Sequence, residues 1–140
     1  MSPCFIINAR NERVVLIVQV LKDELRHKIL LESEHLFLQR GYDRTSLQMI
    51  ADKVNISKSN LYHYFKNKEE LFYELTDSAA DGLKRMILRF RSMRFDLNMD
   101  AQEFRMLLTE EVLSLLLAEK YGLLLIMEQA NGTRYENLRP

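Results

Sequence analysis

Between Gly41 and Asn67 the chain interrupts itself at short intervals, and this constrains its fold more than any other feature. Gly41 closes an apolar-periodic segment, Thr45 opens a short one, and Asn55 ends that. Ser57 then opens another, and Asn67 begins a long one. Gly and Asn tolerate the left-handed backbone of a helix stop. Thr, Ser and Asn side chains accept hydrogen bonds from the free N–H groups of a helix's first turn. Helices this short do not hold up alone in water. Two of them in succession must therefore pack against the long segments on either side.

The long segments have helical periodicity. The first helix is predicted from about Lys22 to Arg40, with Leu25, Ile29, Ser33, Leu36 and Phe37 on one face. Thr45 and Gln48 read as a capping box for "TSLQMIADKV", in which Leu47, Ile50, Ala51 and Val54 form a buried stripe. Ser57 caps a helix that contains Leu61. Asn67, followed by Glu69 and Glu70, starts a helix running to about Met93, and "FDLNMD" breaks it. Asp100 and Glu103 open a further helix to about Lys120. Another ends near Asn131–Gly132, and Thr133 with Glu136 reads as one more start. Only two Pro and four Gly in 140 residues fit this all-α reading.

Charge sharpens the picture. The net charge is zero, but its distribution is uneven. Residues 22–68 hold nine basic against six acidic residues, whereas residues 69–140 hold nine against thirteen. A basic first half and an acidic second half suggest a polyanion-binding module joined to something else. The apolar run "VVLIVQV" (Val14 to Val20) is far shorter than the ~20 residues of a membrane span, so no membrane association is expected. Left uncovered, it would favour aggregation. A single Cys excludes an intrachain disulfide and fits a reducing, cytoplasmic setting. His27, His35 and His63 are scattered, with no metal-ligand spacing and no Gly-rich phosphate loop. No enzyme, metal or cofactor is expected.

The stretch "VNISKSNLYHYFKNKEEL" carries the chemistry. Placed on a helix, residues 58–65 turn Leu61 and Phe65 inward. Ser59, Asn60 and His63 face solvent, with Tyr62 and Tyr64 on the shoulders. Lys58 has a stem long enough to bend outward. Such groups can meet base edges and phosphates in a major groove. Two short helices joined at Asn55–Ile56 have the proportions of a helix-turn-helix, with the second as reader. Thr45 and Ser46 would offer hydroxyls and N–H groups to phosphate, as would Lys68 at the next helix start. A helical domain that binds no DNA accounts for the same capped pair.

From Lys28 to Leu71, "KILLESEHLFLQRGYDRTSLQMIADKVNISKSNLYHYFKNKEEL" resembles the DNA-binding domain of TetR-family transcriptional repressors. Gly41-Tyr42, Thr45-Ser46, Ile50-Ala51, Leu61-Tyr62-His63-Tyr64-Phe65 and Lys68-Glu69-Glu70-Leu71 carry the likeness. It implies a three-helix bundle with a helix-turn-helix at 46–65 inside a domain spanning 23–83. An N-terminal extension (1–22) precedes it, and a partial helical ligand and dimerisation domain (84–140) follows. It also implies double-stranded operator DNA as partner, met by Thr45, Ser46, Gln48, Ser57, Lys58, Ser59, Asn60, Tyr62, His63, Tyr64 and Lys68. A small apolar or amphipathic effector would release it. The family forms homodimers through its last two helices. "GTRYENL" resembles a segment just before them, so the chain is expected to stop short of those helices. The alternative is a truncated helical protein-interaction module without effective operator binding. Met86, Phe90, Met93, Phe104, Met106, Leu116, Tyr121 and Met127 supply adaptable apolar surface, read first as core. "KRMILRFRSMR" is read as a solvated basic face paired with the acidic helices beyond it.

Overall fold

The computed structural model describes residues 9–93 and 100–136. The break expected at "FDLNMD" (Asp100 apart), Arg94, the side chain of Met93 and any helix past Glu136 lie outside them. Six helices follow in order: α1 (Ala9–Arg40), α2 (Leu47–Val54), α3 (Lys58–Leu61), α4 (Lys68–Met93), α5 (Ala101–Ala118) and α6 (Lys120–Glu128). No strand occurs among the described residues.

The chain punctuation works largely as its chemistry dictates. Gly41 ends α1 at φ 86°, its N–H donating to the Phe37 carbonyl at 2.8 Å. Asn55 ends α2 in the left-handed region at φ 63°. Its N–H reaches the Asp52 carbonyl and that of Ile56 the Ala51 carbonyl, the paired bonds of a Schellman stop. Asn67 caps α4 by accepting the Glu70 N–H at 2.7 Å, and Glu70 reaches back to the Lys66 N–H. Asp100 accepts from Gln102 and Glu103 at the start of α5.

Three expectations need correction. α1 begins at Ala9, not near Lys22, and runs unbroken through the expected extension boundary. Nothing in residues 9–22 breaks a helix, and periodicity could mark only the half that has a core to face. The cap of α2 is Ser46, whose Oγ accepts the Met49 N–H at 3.2 Å. Thr45 is buried instead. Its hydroxyl donates to the Gly41 carbonyl at 2.8 Å and lies 3.3 Å from that of Leu36. Gln48 pairs with Asp52 rather than closing a box. Finally, α3 is a single turn. Beyond Leu61 the winding tightens, with His63 N–H on Asn60 and Tyr64 N–H on Leu61.

One buried cluster joins α1 (Ile29, Leu36, Phe37), α2 (Ile50, Ala51, Val54), α3 with Phe65, α4 (Leu71, Phe72, Ala79) and α6 (Leu123, Leu125, Ile126). Phe72 meets Phe37 and Tyr42 edge-on at 5.3 and 5.0 Å. Each such pair adds about 0.5–1.5 kcal/mol beyond area burial. The buried Ser33 and Thr76 hydroxyls return to the carbonyls four residues back. α6 approaches α4 closely because residue 122 is glycine; a Cβ there would lie 2.8 Å from that of Ala79. The helix-turn-helix region and α6 thus share a core across residue 84. α5 has no fully buried residue. It meets α4 through the Phe90–Phe104 edge contact and an ion pair between Arg89 and Glu111. That ion pair is the pairing expected of the basic run. Of the other apolar candidates, Met86 is half-buried, whereas Met106, Leu116, Tyr121 and Met127 are at least half exposed rather than core.

Candidate nucleic-acid interface

α3 is too short to fold by itself, so its orientation comes from what it buries. Leu61 and Phe65 have 0% and 1% of their surface exposed. Ser57 fixes the start by accepting the Asn60 N–H at 3.1 Å. From behind, the Arg26 guanidinium covers the Phe65 ring at 5.0 Å and pairs with Glu74. Lys28 donates to the Val54 carbonyl at the end of α2. With Leu61 and Phe65 pinned, helical winding turns Ser57, Lys58, Ser59, Tyr62 and His63 outward, and all five are exposed. Lys58 Nζ lies 5.9 Å from the Tyr62 ring centroid, so the cation and the aromatic stand side by side. Ser46 and Gln48 are exposed on the neighbouring helix start.

The remaining candidates sit differently. Asn60 is half-buried. Tyr64 is half-buried and packs against the core, leaving its edge at the surface. Thr45 is closed off, its hydroxyl spent on α1, so it positions Ser46 and offers nothing to a ligand. Lys68 is an anchor as well as a charge. Its ammonium donates to the Tyr42 and Thr45 carbonyls at 2.7 and 3.0 Å and lies 4.0 Å from the Tyr42 ring centroid. Burial lowers its pKa from the ordinary lysine value, with Asp43 opposing. An ammonium has three donors, so one remains for a phosphate. Met49 packs half-buried at the core edge.

The contacts made by several supporting residues gave no signal in the sequence. Tyr42 takes Lys68 on its ring and carbonyl, and its N–H donates to the Gln129 carbonyl at 3.3 Å. Burial raises the Tyr42 pKa, and the charges of Glu69, Tyr73 and Asp43 add to this. The segment after α6 is pinned by Arg134, whose guanidinium lies 3.8 Å over Tyr73 and pairs with Asp77. Contacts between such distant positions follow no local period. The outward face of α4 carries Glu69, Glu70, Glu74 and Asp77, which repels a polyanion and leaves α2–α3 as the electrostatically suitable side. Among the described residues there is no group of three or more His, Cys, Asp or Glu able to hold a metal ion, and no helix long and apolar enough to cross a membrane.

An exposed polar and basic turn, held by a buried Leu–Phe pair behind a capped helix, has the geometry of a helix-turn-helix. Comparison with known proteins agrees. Residues 29–75 match the family described as bacterial regulatory proteins, tetR family. The chain is 34% identical over 65 residues to the negative transcriptional regulator IcaR of the biofilm operon icaADBC of Staphylococcus epidermidis, covering 46% of this chain and 35% of that protein. It is 34% identical over 62 residues to the transcriptional activator FasR of Mycolicibacterium smegmatis, covering 44% and 28%. The match therefore spans about a third of each curated relative. The crystal structure of NalD, the secondary repressor of the MexAB-OprM multidrug efflux pump in Pseudomonas aeruginosa, superposes with TM-score 0.56 at 26% identity, covering 81% of this chain and 56% of that one. Over residues 29–75 the chain is thus similar to the DNA-binding region of the tetR family of regulatory proteins.

Proposed function

We propose that this protein is a sequence-specific DNA-binding regulator of transcription. In this reading residues 23–83 form the DNA-binding unit and α3 enters the major groove. The observation that carries the reading is the sharp division around Leu61. The apolar residues of this turn are buried, while Ser57, Lys58, Ser59, Tyr62 and His63 stand free. Ser59 and His63 are suited to base edges, and the Tyr62 ring to a thymine methyl. Lys58, the third donor of Lys68 and the free N–H groups opening α2 at Ser46 are suited to flanking phosphates. The IcaR and NalD names support repression as the direction of control.

An apolar or amphipathic effector completes the proposal. An open groove of about 390 Å³ lies between α4 and α5, with Gly82, Met86 and Leu115 beside Arg85. Its lining mixes these apolar groups with the charges of Arg85, Arg89, Glu111 and Glu119, which suits an amphipathic molecule. Fluorescence anisotropy with duplex promoter DNA at two salt concentrations tests the DNA reading. A log–log salt slope near −0.9 per neutralised phosphate is expected. Binding unchanged in Tyr62→Ala and Lys58→Ala would place the interface elsewhere. No binding at low salt would leave a helical interaction module.

A further inference from the structure

The first half of α1 has no partner among the described residues. Every residue from Glu12 to Glu24 is exposed, including Val14, Val15, Leu16, Ile17, Val18, Val20 and Leu21 at 45–68%. At 100° per residue these seven positions go round the whole helix, and Gln19 alone interrupts them. A helix that is apolar on all sides belongs inside something. It has no polar face with which to lie on a membrane surface.

We propose that this half of α1 pairs with the same segment of a second copy, antiparallel about Ile17. The charges select both the occupant and the direction. Arg13, Val14, Ile17, Val20, Leu21 and Glu24 recur at steps of three and four and share one stripe. Arg13 and Glu24 are exposed, and neither pairs with another described residue. In a parallel pair Arg13 would face Arg13 and Glu24 would face Glu24. In the antiparallel pair Ile17 meets Ile17, Val14 meets Val20, and Arg13 of each copy comes within reach of Glu24 of the other. The interface is thus self-complementary, as a two-fold pair requires.

The pairing would also space two reading heads. The Arg26 contact with Phe65 and the Lys28 bond to Val54 put the helix-turn-helix level with residues 26–28 of α1. At 1.5 Å per residue from Ile17, two antiparallel copies set these levels about 30 Å apart. That approaches the ~34 Å between half-sites one duplex turn apart. This spacing rests on the proposed function; the pairing itself does not.

Disulfide trapping tests the pairing directly. In a full-length Cys4→Ser background, Ile17→Cys is expected to form a disulfide dimer under mild oxidation. The rate should be about tenfold above that of Glu12→Cys on the far side of the helix, since only the seam brings Cα atoms within bridging range. Val14→Cys mixed with Val20→Cys should cross-link faster than either alone. Arg13→Glu should slow Ile17→Cys trapping, and adding Glu24→Arg should restore it. Equal rates at residues 12 and 17, no dimer at residue 17, or loss of the cross-link on transfer to anionic lipid vesicles would overturn the proposal. Positions 12, 13, 14, 17, 20 and 24 are all exposed, so these substitutions should leave the far-UV circular dichroism unchanged.

Discussion

Leu61 and Tyr62 are neighbours with opposite environments, so alanine substitutions at the two should separate stability from binding. Leu61 is fully buried among the core residues of α1, α2 and α4, whereas Tyr62 is 47% exposed and touches Lys58. Truncating a fully buried leucine costs about 2–5 kcal/mol, from lost transfer energy and the cavity left behind. Against a total of about 5–15 kcal/mol for a domain of this size, that is a large fraction. The turn has only four helical residues and no intrinsic stability, so it cannot absorb the loss locally. Tyr62→Ala removes an exposed ring and a long cation–π contact, and should change stability by less than about 1 kcal/mol. It should nevertheless weaken duplex binding about tenfold, the worth of a modest base contact. Urea denaturation followed by circular dichroism gives the first quantity and anisotropy the second. If Leu61→Ala were as harmless as a surface change, or Tyr62→Ala unfolded the protein, the inside and outside of α3 would have been assigned the wrong way round.

Four further outcomes are expected. Asn55 holds φ 63°, so Asn55→Gly should be neutral or slightly stabilising, while Asn55→Ala should cost about 1 kcal/mol by urea titration. Thr45→Val removes a buried hydroxyl bonded to the Gly41 carbonyl and should destabilise by about 1–3 kcal/mol. Ser46→Ala removes only a cap, about 1 kcal/mol, but should also weaken DNA binding. Burial raises the phenol pKa of Tyr42, Tyr73 and Tyr135 above the usual value. Hydrogen bonding to a carboxylate adds to this for Tyr73 (Glu69) and Tyr135 (Asp77). A folded pKa above the unfolded one gives stability that is complete below about pH 10 and is lost as pH rises through the folded value. Absorbance titration at alkaline pH should show these three tyrosines ionising late, together with unfolding. Ionisation of Tyr42, Tyr73 and Tyr135 already near pH 10 would contradict the packing around them.

Much of this was legible in the sequence because it is local. Asn55, Ser57 and Asn67 act through the backbone within a few residues, so their types alone placed three helix ends. Leu61 and Phe65 are four apart, and their shared direction follows from the helix period. Thr45 and Ser46 were not separable in that way. Both are good caps, and the choice was made by the end of α1, whose Gly41 carbonyl captures the threonine hydroxyl. The role of Lys68 as a tie to Tyr42 was hidden for the same reason, since its acceptors are backbone carbonyls brought close only by folding. The start of α1 was missed because a periodicity search needs a polar side, and residues 14–21 have none.

The central claim is that the outward side of α3 meets duplex DNA, and residue-resolved amide spectra recorded during a DNA titration test it most directly. The amides of residues 46–48 and 57–63 should shift first and furthest, while those of Glu74 and Asp77 on the acidic side of α4 stay in place. Shifts concentrated on α4 or α5, with residues 57–63 unmoved at saturating duplex, would contradict it.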